Sequence, residues 1–426
     1  MKGFVALSPL LVFLGLYVLI SLILGDFYKM PLTVALLAAT LWALLIYRDV
    51  PFSARVEAYA KEAGNHNVLY MVWIFILAGC FASLAQQTGA VEATVELTIN
   101  RLPSYFVLPG LFLASCFISM AIGSSVGTVV ALVPLAVSFA NSIGGDVPFF
   151  VAVVLGGSFF GDNLSFISDT TIAATRTQGC KMNEKFKANC LLAVPAAVIT
   201  FLIYIFGDFS IPDASSDLPS DPWLVGPYIV VILLAISGVN VTLTLVSGIL
   251  LAFILGLISG YDVFDLLGFM GSGIDGMGNL IIITLMAAGL LGLIKAAGGV
   301  DMLMNFLSKR LRGVRGGQAV ISLLVGMVNL CTANNTVAIL TVGSISKSIA
   351  DRYGISGRRS ASLLDTSSCI VQCLIPYGAQ TLLATSLAGI SPTAPWPYLY
   401  YPWILAAIVS LSILLWRLSP IPGTCR

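Results

Sequence analysis

Two aspartates stand inside one apolar stretch of the sequence, among glycines, hydroxyls and amides. Asp162 and Asp169 both fall within Gly156–Thr171, in the middle of a run long enough to cross a membrane as a helix. An ionised aspartate at the centre of a membrane costs about 2.5–3.5 kcal/mol, whereas capping a helix end recovers only about 1 kcal/mol. Capping of two half-helices is the alternative explanation, but this comparison favours a binding role for the two carboxylates.

A break in the helix would complete such a site. Gly161 followed by Asp162 and Asn163 is a poor continuation of a helix, because the polar side chains compete for the backbone hydrogen bonds. Unwound backbone at membrane depth is tolerated only where protein or a water-filled cavity surrounds it, and its carbonyl oxygens suit a hard cation such as Na⁺. The predicted Na⁺ or proton ligands in this stretch are Asp162, Asn163, Ser165, Asp169 and Thr170.

A carboxylate at such a depth is expected to bind Na⁺ and H⁺ in competition. The protonated group and the Na⁺-bound carboxylate are both neutral, whereas an empty ionised group carries the full cost of leaving water. Na⁺ held at Asp162 and Asp169 would therefore exchange for protons. The sequence contains no P-loop motif, so ATP hydrolysis is not predicted to drive the exchange.

The second half of the chain carries similar polar clusters. Two apolar segments have polar tips, at 123–128 and 332–336, and a second broken helix is predicted around 364–372, with Asp365 as the counterpart of Asp162. The candidate ligands there are Asn334, Asn335, Asp365 and Thr366. The candidate hairpin-tip residues are Ser124, Ser125, Thr128, Thr332 and Thr336. Close packing of small residues between helices is the open alternative for the first tip, whereas two adjacent asparagines are bulky for such packing.

Composition identifies the chain as an all-α polytopic membrane protein. Of its 426 residues, 58% are hydrophobic and 10% are charged, and the mean hydropathy is +0.98. Eight cysteines and one histidine give no zinc pattern, because most of the cysteines lie inside apolar spans. No cofactor is predicted, and the net charge of +1 does not indicate a nucleic-acid partner. An intramembrane enzyme is disfavoured, because no His, Lys or Glu within the predicted spans is placed to activate a serine.

The apolar segments repeat at an offset of roughly 210 residues. Lys and Arg cluster in the loops 48–61, 176–187, 295–315 and 347–359, which places these loops and both termini in the cytoplasm. The aspartate-rich stretch near 208–221 then lies in the periplasm.

With that orientation the two halves start from opposite sides. They are predicted to be inverted-topology repeats, 1–207 and 223–426, joined by a periplasmic linker at 208–222. Each repeat is expected to contain three spans, a helical hairpin, a broken helix and a final span. The hairpins at 104–143 and 317–350 are either re-entrant or pairs of full spans.

Residues 156–190 resemble the NhaC family of bacterial Na⁺/H⁺ antiporters. The shared pattern is Gly161-Asp162-x-x-Ser165-x-Ile167-Ser168-Asp169-Thr170-Thr171 followed by a basic loop, and 364–367 and 374–377 are also similar. The sequence departs from the family pattern at Asn163, Phe166 and Tyr377, where the family often has His, Pro and Trp. The resemblance implies a secondary transporter that exchanges Na⁺ for H⁺ across the lipid bilayer.

Some relatives in this family exchange organic acids or amino acids, so a Na⁺- or H⁺-coupled exchanger of a small organic solute is the alternative. Such a solute needs a cation near its carboxylate, and the nearest candidates, Arg176 and Lys295, are predicted to lie at the membrane interface. The absence of a better-placed cation favours the Na⁺/H⁺ exchanger. A homodimer is left open.

Overall fold

Helices account for nearly all of the described chain. The computed structural model describes residues 3–24, 31–99, 106–165, 168–207, 221–237, 239–299, 302 and 313–415. The predicted linker at 208–222 and the basic residues 303–312 lie almost entirely outside these ranges. No strand occurs in the described ranges, and eight stretches there are long and apolar enough to cross a membrane. The prediction of an all-α polytopic membrane protein is confirmed.

Ten helices form the first half of the structure. They are α1 (Gly3–Leu24), α2 (Leu32–Ile46), α3 (Phe52–Ala63), α4 (His66–Gln87), α5 (Ala90–Ile99), α6 (Val107–Ile122), α7 (Ser125–Ser142), α8 (Val147–Leu164), α9 (Asp169–Gln178) and α10 (Met182–Phe206).

In the second half, nine helices are described. They are α11 (Gly226–Ile236), α12 (Val241–Ile258), α13 (Val263–Gly276), α14 (Gly278–Ala296), α15 (Gly313–Thr332), α16 (Asn335–Tyr353), α17 (Gly357–Leu374), α18 (Ala379–Ala388) and α19 (Tyr400–Leu414). Short 3₁₀ turns at Pro222–Val225 and Trp396–Tyr398 precede α11 and α19.

The two helical hairpins are built alike. Gly123 closes α6 in the left-handed region at φ +70°, and Ala333 closes α15 at φ +48°, a conformation that costs a non-glycine residue about 1–2 kcal/mol. The next residue caps the following helix in each case: the Ser124 side chain accepts from Gly127 N, and the Asn334 side chain accepts from Val337 N. The two hairpin tips therefore lie 210 positions apart and share a left-handed turn followed by a capping residue.

Two helices are interrupted, also 210 positions apart. At the first break α8 ends at Leu164 and α9 begins at Asp169, with Ser165 and Ser168 both extended, and the second break separates α17 from α18 at residues 375–378. In each half, one hydrogen bond joins the first helix of the hairpin to the interrupted helix. Ser119 donates to Ser158 O at 2.5 Å, and Asn329 donates to Ser368 O at 2.8 Å.

Helices of each half pack against helices of the other half, so the halves are not separate blocks. Helix α3 packs against α14 of the other half, and α13 packs against α4. In the same reciprocal way α9 lies on α16 and α18 lies on α7. The second half therefore repeats these contacts of the first with the partners reversed.

Two of these helices were not predicted. Residues 48–66 were expected to form a cytoplasmic loop, yet 52–63 is helical, and α13 lies in the counterpart position. The prediction of a simple loop is wrong, because small residues allow close helix packing there. Gly292 lies against the backbone of Ala58 in α3, and Gly273 of α13 lies against Gly79 of α4.

Candidate cation-binding site

A cavity of about 350 Å³ lies where the two hairpin tips meet the first break. Residues of α4, α9, α16 and α18 complete its wall. Eight of the predicted site residues line it: Ser124, Ser125, Asp162, Asp169, Thr170, Asn334, Asn335 and Thr336. The two halves of the chain thus contribute polar residues to one cavity.

Asp162 lies in the last turn of α8, at the inner wall of the cavity. Its side chain is 4% exposed, and its Oδ1 accepts a hydrogen bond from Ser125 N at 3.0 Å. That amide belongs to the first turn of α7, where the helix dipole favours negative charge. Among the described residues, no Lys, Arg or His forms an ion pair with Asp162. Within the described part of the chain, the carboxylate therefore has no counter-ion.

Asp169 occupies the other side of the break and is exposed. It is the first residue of α9, whose N-terminus is capped by Ser168, the acceptor for Thr171 N. Arg176 lies seven residues further along α9 and also lines the cavity. Arg176 is exposed, so its predicted interfacial position stays a prediction, and the site carries charges of both signs.

The first turns of three helices meet at this cavity. They are the capped N-termini of α7, α9 and α16. Asn335 also accepts a hydrogen bond from Thr336 N at 3.1 Å, so its carbonyl oxygen is held at the tip. Each N-terminus carries a partial positive charge, which the Asp162 and Asp169 carboxylates offset.

Six predicted residues lie outside the cavity lining. Asn163 donates to Phe159 O and to Tyr401 OH, and Thr366 donates to Ser362 O, one turn back in its own helix. The six are Asn163, Ser165, Asp365, Thr366, Thr128 and Thr332. The structure therefore does not bring these residues together with Asp162 as a single ligand set.

Asp365 is instead the partner of a buried lysine. Lys185 Nζ lies 2.7 Å from Asp365 Oδ2, and the two side chains are 1% and 0% exposed. The same ammonium donates to Asn163 O at 3.0 Å and to Thr171 Oγ1 at 2.6 Å, on the two sides of the first break. Asn189, one turn further along α10, donates to Asn163 O and Asp365 Oδ2, both at 2.7 Å.

This network has two consequences. The three protons of the lysine ammonium are all engaged, and the carbonyl that the broken helix leaves free at Asn163 has two donors. The pair also joins α10 of the first half to α17 of the second, next to the Asp162 site. Asp365 lies close enough to Asp162 to interact with it electrostatically.

The model of the Na⁺/H⁺ antiporter family matches residues 4–207 and 218–417. The chain belongs to the Na⁺/H⁺ antiporter family. It is a membrane-embedded secondary transporter rather than an enzyme.

Individual relatives of this family are similar over most of their length. The chain is 21% identical to the "Malate-2H(+)/Na(+)-lactate antiporter" of Bacillus subtilis (strain 168), over 96% of this chain and 94% of that protein. It is 25% identical to the "Na(+)/H(+) antiporter NhaC" of the same organism, over 82% and 84%. It is 22% identical to the "Arginine/ornithine antiporter ArcD" of Halobacterium salinarum, over 81% and 79%.

The predicted alignment of the second half with the first, which paired Asp365 with Asp162, is wrong. Asp162 lies three residues before Ser165, where the first break begins, whereas Asp365 lies ten residues before Ile375, where the second begins. Gln372 is the counterpart of Asp162. The proline after Ile375 sets this break, because it has no N–H and disfavours helical backbone at the preceding residue.

Lys185 was missed because charged residues surround it in the sequence and indicate a loop. It was assigned to the basic loop 176–187, yet its side chain is buried. A usable signal was present: Lys185 and Asn189 are four residues apart at the start of an apolar helix, so they share one face.

Proposed function

We propose that this antiporter exchanges Na⁺ for H⁺ at Asp162, where the two cations compete for one carboxylate. The observation that carries the proposal is a buried carboxylate that borders a cavity and lacks an ion pair in the described residues. An ionised Asp at such a depth is costly, so it takes up either a proton or a metal cation. Family membership supports Na⁺ and H⁺ as that pair of ions.

The surrounding groups suit a small hard cation. Hydroxyl and amide oxygens of Ser124, Asn334 and Asn335 line the same cavity as the Asp162 carboxylate, and oxygen is the ligand that hard cations prefer. Ser125 N donates to one oxygen of the carboxylate and stabilises its ionised form. Asp169, at the exposed rim, would attract cations into the cavity.

Transport assays on proteoliposomes test this proposal. A pH gradient imposed on wild-type protein should drive uptake of ²²Na⁺ with no organic solute present, and Asp162→Asn should abolish it. Asp275→Asn, on the exposed face of α13, is the matched control and should retain the wild-type rate. Uptake by Asp162→Asn at the wild-type rate would contradict the assignment.

We also propose the arrangement in the membrane that such exchange requires. Residues 1–207 and 223–426 would be inverted repeats with both termini in the cytoplasm, in the bacterial inner membrane. The reciprocal packing of α3 with α14 and of α4 with α13 supports the repeats, and the basic loops support the orientation. A homodimer stays a prediction.

A second candidate is coupled exchange of a small organic carboxylate. Arg176 lines the cavity and supplies the cation that such a solute needs, and about 350 Å³ exceeds what one Na⁺ needs. Two relatives are named for organic substrates, lactate and malate in one case and arginine and ornithine in the other. An absolute requirement for an internal organic acid in the ²²Na⁺ assay would favour this candidate over simple exchange.

A further inference from the structure

A second cavity of about 300 Å³ lies along α18, as the first lies along α9. Tyr17, Leu32 and Ile283 contribute to its wall. Three other lining residues are counterparts, 210 positions on, of residues beside the first cavity. These pairs are Tyr70 with Leu280, Ile172 with Leu382, and Arg176 with Ser386. The second cavity is therefore the pseudo-symmetric counterpart of the first.

The two cavities follow helices that lead to different surfaces. Beyond Arg176, α9 continues into the basic connection 179–187, whereas α18 continues past Ser386 into 389–399, which has no charged residue. The bias of Lys and Arg towards the cytoplasm places the first connection inside and leaves the second for the outside. Leu32, at the start of α2, lines the second cavity. Helix α2 spans about 22 Å before the chain reaches the basic stretch that begins at Arg48, so this cavity lies away from the basic, cytoplasmic side.

A chain of amide hydrogen bonds stands between the cavities. Gln380, in the first turn of α18, lines the Asp162 cavity and donates to Ser125 Oγ at 3.0 Å. Gln372, the counterpart of Asp162, donates to Gln380 Oε1 at 3.0 Å and to Ala333 O at 2.9 Å. These contacts hold the first turn of α18 against both hairpin tips, so the residues from Leu382 onward face a separate space.

The charged groups occur on one side only. Gln372, Ala379 and Ser386 stand at the positions equivalent to Asp162, Asp169 and Arg176. A neutral residue such as Gln372, at the position equivalent to Asp162, lets an ion pass but does not retain it. The Asp162 carboxylate would therefore serve the pathways on both sides.

We propose that the cavity along α18 is the outward half of the transport pathway, and that Asp162 reaches it when the Gln372–Gln380–Ser125 contacts open. The cavity along α9 is then the inward half, and the structure is in its inward-facing state. This inference rests on the proposed function, because it assigns the outer route to the same carboxylate.

Single cysteines at the equivalent positions Ile172 and Leu382 test the assignment in a cysteine-free background, since the natural chain has eight cysteines. A charged, membrane-impermeant thiosulfonate should label Leu382→Cys only from outside in right-side-out vesicles. It should label Ile172→Cys only from inside in inverted vesicles. Val198→Cys on α10, half exposed on the outer face of the bundle, is the control and should react from neither side.

The labelling rates of the two cysteine variants should also differ, and Na⁺ should change both of them. An alternative conformation populated at about 0.1–10% limits labelling of the buried Leu382 site, so it should react at least about tenfold more slowly than Ile172→Cys. Saturating Na⁺ should change the two rates in opposite directions. Ser386→Cys, partly exposed in the same cavity, serves if Leu382→Cys does not fold.

Labelling of Leu382→Cys or Ser386→Cys from inside only would overturn the inference, as would rates that change in the same direction. These outcomes do not depend on the exchange reaction. If wild-type protein shows no Na⁺/H⁺ exchange while the two sites label from opposite sides, the proposed function fails and the two-sided pathway stands.

Discussion

The Lys185–Asp365 pair should contribute to stability only as a pair. Lys185→Met leaves the Asp365 carboxylate fully buried without a counter-ion, and Asp365→Asn leaves the ammonium in the same position. Removing one partner of a buried ion pair costs about 3–5 kcal/mol, whereas replacing both by neutral groups is often close to neutral. The double variant Lys185→Met/Asp365→Asn should therefore be more stable than either single variant.

The network around the pair places the single variants at the upper end of that range. Lys185→Met also removes the donors to Asn163 O and Thr171 Oγ1, which hold the two sides of the first break. A loss of about 3–5 kcal/mol reduces the folded-to-unfolded ratio by roughly 10²- to 10³-fold or more. In the double variant Asn189 retains a neutral acceptor at position 365.

Thermal stability in detergent measures this effect. The fraction of monodisperse protein after heating, read by fluorescence size-exclusion chromatography, should fall sharply for both single variants. It should recover by more than half in the double variant. Lys347→Met is the matched control, because its exposed pair with Asp351 is worth only about 0.3–0.5 kcal/mol. Losses in the double variant equal to the sum of the two single losses would refute the reasoning.

The same variants separate two roles for Asp365. If it is a counter-ion rather than a Na⁺ ligand, the double variant should retain Na⁺/H⁺ exchange with a similar apparent KM for Na⁺. Loss of exchange in a well-folded double variant would make Asp365 a ligand, as the sequence first suggested.

Three further predictions concern other parts of the molecule. Gly79→Ala should destabilise the protein by about 1–3 kcal/mol, because a Cβ there meets the backbone of Gly273. Gly268→Ala, on the same pair of helices, is the control and should be tolerated, because a Cβ there meets no neighbouring atom. Melting curves of the two variants in detergent measure the difference. The apparent KM for Na⁺ should rise as pH falls, towards a limit of about tenfold per pH unit, because one proton and one Na⁺ occupy the same carboxylate. A KM independent of pH between 6 and 9, measured by ²²Na⁺ uptake, would contradict that competition. Arg176→Gln should leave simple Na⁺/H⁺ exchange intact and abolish any dependence on an organic carboxylate, and loss of both activities would place Arg176 in cation transport itself.

Hydropathy and turn chemistry were enough to predict the helical class and the paired hairpins. Long apolar runs predict spans, and the tips at Ser124 and Asn334 are capping residues that follow a left-handed turn. The offset of roughly 210 residues in hydropathy is matched in the structure by both turns and both breaks. These features depend on local sequence, which explains why they could be predicted.

The positions of the breaks depended on contacts that the sequence does not show. Gly161 was expected to end its helix, yet α8 continues to Leu164, because that glycine allows close packing against Ser119. Thr366 and Ser368 lie in a hydroxyl-rich stretch that was expected to be broken. They remain within α17, where each hydroxyl is satisfied by a carbonyl of the preceding turn and does not displace a backbone hydrogen bond.

The buried ion pair was beyond prediction from the sequence for a different reason. Its two members are 180 residues apart and belong to different halves of the chain, so only the packing of α10 against α17 brings them together. Helices α3 and α13 escaped notice because charged residues in one and glycines in the other are typical of loops.

Proton release on Na⁺ binding tests the central claim about Asp162 most directly. Purified protein in weakly buffered detergent solution, at a pH where the site is partly protonated, should release protons when NaCl is added but not when choline chloride is added. Asp162→Asn should release none, and Asp275→Asn should release as many as the wild type. Undiminished Na⁺-dependent proton release from folded Asp162→Asn would contradict competition of the two cations at this carboxylate.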